Sequence, residues 1–336
     1  MKVGVHLTPF FGPGGRAPAD VIDEALAVGR RADELSFDWV SVPHHWAAHP
    51  VVWPQPFPLL AGLARETRSA RLMTLMLLLP LLSPVDVAEN VATIDQMSGG
   101  RFTLGAAIGF RDVELMALKL TRKDRVPKLE ESIEVMSRLW SGEEVSFEGR
   151  YGTLQRMRTA LLPAQRPRPP IILGAQSEAA TRRAARIADG VYLGPQVTWK
   201  GLRHLIGVYR DARREAGHAD EGIIGAGRVV LVGRDREDAA RTTRPKLEAL
   251  FANYQRWEMK ENGMVPIALS FDTPLEDWTV AGSPADCSAT LAWMAQECGI
   301  THVGLNIYSL PGSRSGRLEH VEHIATDVVT RKVREA

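Results

Sequence analysis

Short runs rich in Val, Ile and Leu recur eight times along this chain of 336 residues, and each is followed within a few tens of residues by an amphipathic stretch. Apolar runs of four to eight residues without strict alternation are strands buried on both faces, and such strands separated by helices belong to parallel sheets. The strands are predicted at 3–7, 39–42, 71–79, 102–108, 171–174, 190–193, 228–232 and 302–306. Helices are predicted at 19–35, 57–66, 85–97, 125–140, 177–188, 200–216, 237–254 and 318–331, with a β-hairpin at 145–154 turning near Gly149. The length alone allows two average domains or one large one. Eight strand–helix units without a Pro/Gly/Ser linker or a break in composition predict one α/β domain over residues 1–336, a single (β/α)8 TIM barrel. The periodicity fades at about 257–283, where Gly263, Pro266, Pro274 and Gly282 appear. This predicts an insertion after strand seven that covers the barrel mouth.

Charge and cysteine content narrow the function. Lys plus Arg number 41 and Asp plus Glu 40, a formal charge of +1 spread along the chain. Nucleic-acid binding needs a concentrated basic footprint, which the chain lacks. Cys287 and Cys298 form no CxxC pair, which argues against a zinc ribbon or a thioredoxin-type motif and suits a reducing compartment. The opening residues contain no signal-peptide core, and the apolar run 72–82 is far short of the roughly 20 residues that cross a bilayer. A cytoplasmic protein is expected.

A parallel barrel places its active site at the carboxyl ends of its strands. Those ends carry His6, Thr8 and Gly12-Pro13-Gly14-Gly15; then His44 and His45; Gly109 and Arg111; Gly174, Gln176 and Ser177; and Asn306, Tyr308 and Ser309. In Pro43-His44-His45-Trp46-Ala47-Ala48-His49-Pro50 the two prolines bracket a loop and no HExxH pattern occurs, so no metal is expected. A histidine at a barrel mouth suits acid/base work, and the alternative is imidazoles that only pack against Trp46 and Trp53. At Gly174-Ala175-Gln176-Ser177 a strand turns into a helix on small residues, where backbone N–H groups and the helix dipole can hold a phosphate. The alternative for Ser177 is a plain N-cap. Acidic pairs such as Asp23-Glu24 and Glu130-Glu131 lie on helices and read as solvated faces, which argues against a glycosidase.

With these strand ends assembled, the sequence resembles the bacterial luciferase-like family of flavin-dependent monooxygenases, a family that also holds deazaflavin-dependent oxidoreductases. The most specific stretch is Leu79-Pro80, Pro84-Val85, Ala88-Glu89, then Ile94-Asp95-Gln96-Met97-Ser98-Gly99-Gly100-Arg101-Phe102 and Gly105. Asp95 to Arg101 falls at the bottom of the barrel, where its role is structural.

The resemblance implies a site. His44 matches the family's active-site histidine, although Pro43 stands where the luciferase branch has the neighbouring acid. Ser177 matches a serine that contacts the flavin phosphate, with Gln176 and Ala180 replacing a Glu and a phosphate-binding Thr. Arg125 resembles an arginine that approaches the phosphate, and Ala107 and Ile108 replace a reactive Cys and a phosphate-binding Arg. The family's cis peptide falls near Leu75-Met76, with Thr74 and Met76 beside the isoalloxazine; Gly174 and Ala175 complete the expected cofactor site. The implied cofactor is FMN, reduced by a separate flavin reductase, which reacts with O2 to a flavin peroxide that must be kept dry. Phe10, Phe11, Trp46, Trp53, Phe110 and the Trp257 to Trp278 segment suit an apolar or aromatic small organic substrate, or are core residues. A homodimer is expected. The alternatives are a deazaflavin-dependent hydride-transfer oxidoreductase, whose members more often pair an acid with a single histidine after strand two, and a non-catalytic flavin-binding barrel.

Overall fold

The computed structural model describes residues 1–7, 17–49, 51–256, 274–307 and 314–336. In chain order the elements are β1 (Lys2–His6), α1 (Pro18–Glu34), β2 (Trp39–Val42), α2 (Pro56–Glu66), β3 (Arg71–Leu78), α3 (Pro84–Ser98), β4 (Phe102–Ala107) and α4 (Asp112–Met116). Then come α5 (Arg125–Leu139), the antiparallel hairpin β5 (Val145–Glu148) and β6 (Thr153–Met157), β7 (Ile171–Ala175), α6 (Glu178–Ile187), β8 (Gly190–Leu193), α7 (Trp199–Glu215) and β9 (Ile223–Val232). The chain ends with α8 (Arg236–Arg256), β10 (Thr279–Gly282), α9 (Pro284–Cys298), β11 (His302–Ile307), α10 (Arg314–His323) and α11 (Arg331–Glu335). Strands β1, β2, β3, β4, β7, β8, β9 and β11 pair in parallel, and β8 pairs back onto β9, so the ladder closes into the expected eight-stranded barrel.

Local chemistry sets the helix ends. Proline opens α1, α2, α3 and α9, where its fixed φ suits the first turn and its missing N–H is not needed. Gly99 and Gly299 close α3 and α9 in the left-handed conformation. The main core lies between strands and helices, while a second cluster of Trp39, Met73, Leu75, Ile172 and Tyr192 fills the barrel interior. Glycine makes room for its two largest rings: a Cβ on Gly4 would lie 2.0 Å from Trp39, and one on Gly304 would lie 2.2 Å from the Tyr192 hydroxyl.

The barrel floor is polar and fully bonded. Asp95 accepts from the Phe102 and Gln165 amides and from the Gln165 side chain, and Arg101 donates to the carbonyls of Thr67, Ala70 and Ser98. This segment ties helix to strand, as its position in the sequence predicts.

Several expectations need correction. Part of the segment at 257–283 is itself sheet: β10 pairs with Val229 to Val232 of β9, while residues 257–273 lie outside the described residues. Strand seven begins earlier than expected, at Ile223, so Gly225 and Gly227 lie within it and leave space for Tyr192. The single terminal helix is α10, a π turn at Ile324–Val328 and α11. Glu24 is not a solvated residue; it is 1% exposed and paired with buried Arg317 at 3.0 Å.

The β3–β4 ladder slips register between Thr74 and Leu77, around a cis peptide at Leu75-Met76, the position expected for it. At the slip the Thr74 hydroxyl donates to the Gly105 carbonyl (2.8 Å) and accepts from the Gly105 amide (3.0 Å). A Cβ on Gly105 would sit 2.1 Å from the Thr74 carbonyl oxygen. Gly105→Ala is therefore expected to lower unfolding free energy by about 3 kcal/mol, because a backbone oxygen cannot rotate aside. Denaturant midpoints of the two proteins check this, and equal midpoints would contradict it.

Candidate active site

At the carboxyl ends of β3, β4 and β7, small residues surround one flexible side chain. A Cβ on Gly174 would lie 3.2 Å from Met76 Cγ and 3.5 Å from Ala107 Cβ, so Met76, Ala107 and Gly174 meet. Thr74 is fully buried beneath them, its hydroxyl occupied by Gly105. The result is a shallow surface that only small side chains leave open, which fits a planar ring.

From Gly174 the chain runs through buried Ala175 and half-buried Gln176 to Ser177 at the start of α6. Ser177 is the N-cap: its hydroxyl accepts from the Ala180 amide at 3.4 Å, a long bond. Gln176 donates to Gln196 at 3.2 Å. Arg125 is anchored by donating to the carbonyls of Gly109 (2.9 Å) and Arg122 (3.2 Å). Burial lowers the Arg125 pKa, and the nearby charges of Arg122 and Arg183 lower it further, against Asp112. Burial also lowers that of Arg183. Partly buried cations that disfavour one another would be relieved by an anion, and together with the α6 N–H groups they fit a phosphate.

The two histidines after β2 are held differently. His44 is 2% exposed, and its Nδ1 accepts from the Leu78 amide at 3.1 Å. Burial depresses its pKa to about 4, helped by the charge of His45 and opposed by Glu114 and by a hydrogen bond with the Gln55 side chain. His44 is thus neutral near pH 7, and because an amide can only donate, its proton sits on Nε2. His45 Nδ1 lies 3.3 Å from Glu114 Oε1, and the ring packs edge-on against Trp53 and Phe110. The same Glu114 oxygen accepts from the Trp46 amide (3.0 Å) and from Arg111 (3.2 Å). Burial pushes the Glu114 carboxyl up, but His45, the Trp46 amide and Arg111 outweigh it and leave its pKa below the ordinary value. Sequence reasoning missed Glu114. It stands on a five-residue helix and approaches the loop from 69 positions away.

Other candidates are placed less directly. His6, at the end of β1, bonds Ser41 at 2.7 Å, and burial lowers its pKa to about 4. Phe110 and Trp278 are core residues in a cluster with Val229, Leu231 and Leu275, against which Trp53 packs. Phe110 is 7% exposed and Trp278 1% exposed. Thr8, Phe10, Phe11, Gly12-Pro13-Gly14-Gly15, Trp257, Tyr308 and Ser309 lie outside the described residues. Among the described residues, no helix is long and apolar enough to cross a membrane.

The sequence model of the luciferase-like monooxygenase family matches residues 1–302. An F420-dependent glucose-6-phosphate dehydrogenase of Nakamurella multipartita is 34% identical over 180 residues, spanning 52% of this chain and about half (51%) of that enzyme. The oxygenase component of a flavin-dependent trigonelline monooxygenase of Acinetobacter baylyi is 24% identical, covering 78% of this chain and 72% of that protein. The crystal structure of monooxygenase RslO1 from Streptomyces bottropensis shares the fold, with a TM-score of 0.82 at 24% identity, covering 98% of this chain and 99% of that one.

The depressed histidines make stability depend on pH. His6, His44 and His302 are all lowered to about 4 by burial, against an ordinary 6.5. Between these values the unfolded chain binds protons that the folded one does not, so their contribution is complete above about 6.5 and is lost as pH falls toward 4. His44→Gln is expected to flatten this fall by up to about 1.4 kcal/mol per pH unit. Denaturation across a pH series measures the slope, and an unchanged slope would show that His44 does not carry a proton in the unfolded state alone.

Proposed function

Because this chain belongs to the luciferase-like monooxygenase family, we propose that it is a two-component flavin monooxygenase: it takes reduced FMN from a separate reductase and uses O2 to oxygenate a small apolar or aromatic substrate. The observation that carries this reading is the meeting of Met76, Ala107 and Gly174, from which β7 runs directly into the α6 N-cap at Ser177, while Arg183 on α6 is close enough to Arg125 for their charges to interact. One planar ring and one phosphate match these two places. Bound reduced flavin would supply the electrons that activate O2. The chain's own residues bind, orient and exclude water. Met76 would pack against the ring, and the backbone amides at Ala175, Gln176 and Ser177, the Ser177 hydroxyl and Arg125 would hold the phosphate. His44, neutral and protonated on Nε2, offers a fixed hydrogen-bond donor rather than a group that changes charge near neutrality. The apolar shell of Trp46, Leu78, Leu81 and Leu115 keeps the region dry. A homodimer in the cytoplasm completes the reading.

A deazaflavin coenzyme is the second reading, supported by the similarity to the Nakamurella F420-dependent enzyme. Anaerobic titration with reduced FMN and with reduced deazaflavin separates the two. Tight reduced-FMN binding followed by O2-dependent reoxidation slower than that of free FMN is expected. Deazaflavin binding alone would favour hydride transfer, and FMN binding with reoxidation as fast as in free solution would favour a barrel without catalysis. Ser177→Ala is expected to weaken reduced-FMN binding by roughly 1–2 kcal/mol; unchanged affinity would leave Ser177 only its N-cap.

A further inference from the structure

Glu114 is 3% exposed, and its two oxygens are treated unequally. Oε1 meets His45 Nδ1, the Trp46 amide and Arg111, whereas Oε2 is buried and has no hydrogen-bond partner among the described residues. Taking a carboxylate out of water costs several kcal/mol unless its lone pairs are satisfied. An arrangement that served packing alone would satisfy both oxygens or use an apolar residue. Arg111, from the turn before α4, also donates to the Trp46 carbonyl at 2.5 Å, so acid and base together grip the loop that carries both histidines. His44 on the same loop, and Gln55, which donates to the His45 carbonyl at 3.2 Å, also face this network.

The hydrogen-bond directions fix the protons. An ionised carboxylate only accepts, so the neutral form of His45 carries its proton on Nδ1. The Leu78 amide only donates, so His44 carries its proton on Nε2. Two consecutive imidazoles are therefore held in opposite tautomers. We infer that Glu114 is the positioning residue of this site: it fixes the tautomer of His45 and supports any positive charge that ring takes up, a role that Pro43 cannot fill for His44. The inference rests on the flavin reading above for its link to turnover, and on geometry alone for the tautomers.

Long-range proton–nitrogen NMR of protein labelled with 15N-histidine reads the tautomers without any cofactor, with His44→Gln and His45→Gln identifying the two signals. The expected spectrum shows His45 protonated on Nδ1 and His44 on Nε2. Glu114→Leu should move His45 toward the Nε2-protonated form. If that variant fails to fold, Glu114→Gln should move it partway, because an amide both donates and accepts, and His44 should not change. The second measurement is reoxidation of bound reduced FMN by O2. Glu114→Gln should change its rate by at least about tenfold with reduced-FMN affinity within about twofold. The His45→Gln/Glu114→Gln double variant should differ no further from the wild type than His45→Gln alone. His45 protonated on Nε2 in the wild type, a tautomer unmoved by either Glu114 variant, or additive effects in the double variant would each overturn the inference. Failure of reduced FMN to bind would count against the flavin reading and leave the NMR result to decide the role of Glu114.

Discussion

Where β3 passes Gly105, one hydroxyl takes over from the backbone ladder, and the geometry of the site follows from that substitution. Thr74 bonds both the amide and the carbonyl of Gly105, so the two strands stay joined while β3 slips register against β4. Beyond the slip, Met76 reaches across β4 toward Gly174, and Leu78 directs its amide at His44, past the end of β2 at Val42. A side chain larger than hydrogen at position 105 would push the strands apart and move both consequences together. Packing and the orientation of the His44 imidazole therefore share one origin in a β-branched alcohol facing a glycine.

The mouth divides electrically into two ends. Around Arg125 and Arg183 the protein brings positive charges together in a partly buried setting, with Asp112 and Glu130 opposing them. Around His44 it does the reverse, keeping an ionisable ring neutral by removing water. Charge interactions strengthen as local polarity falls, so a single buried carboxylate has more influence at the histidine end than it would have in solvent. The near-zero net charge of the whole chain fits this division, because the attraction for an anion is local.

Much of this was legible in the sequence. The eight barrel strands announce themselves because they are largely buried and mostly apolar, as at Trp39–Val42, where only Ser41 is polar, and Ile171–Ala175. The histidine loop and the Gly174 to Ser177 turn are legible because a parallel barrel fixes which end of each strand carries chemistry. Thr279–Gly282 has side chains too small to declare itself a strand, and its pairing depends on β9 extending beyond β8. Glu114 was invisible for a different reason. In Arg111-Asp112-Val113-Glu114-Leu115 it looks like one more acidic residue on a solvated turn, and only the fold turns it inward while Val113 and Met116 stay exposed. Of the aromatic residues read as a substrate surface or as core, Phe110 and Trp278 are buried in the core.

The length of β9 has a consequence for how the molecule behaves in a crowd. Its first residues pair with β8 from Ile223 to Ala226, β11 takes the opposite side from Gly225 to Val230, and β10 covers Val229 to Val232 on the side that β8 leaves early. Without that short tenth strand, the rim of the barrel would present a run of unsatisfied amides and carbonyls flanked by Val and Leu, the kind of edge onto which a second chain can add itself. Thr279–Gly282 thus works as a guard on that edge, keeping its hydrogen-bonding groups from the reach of another chain.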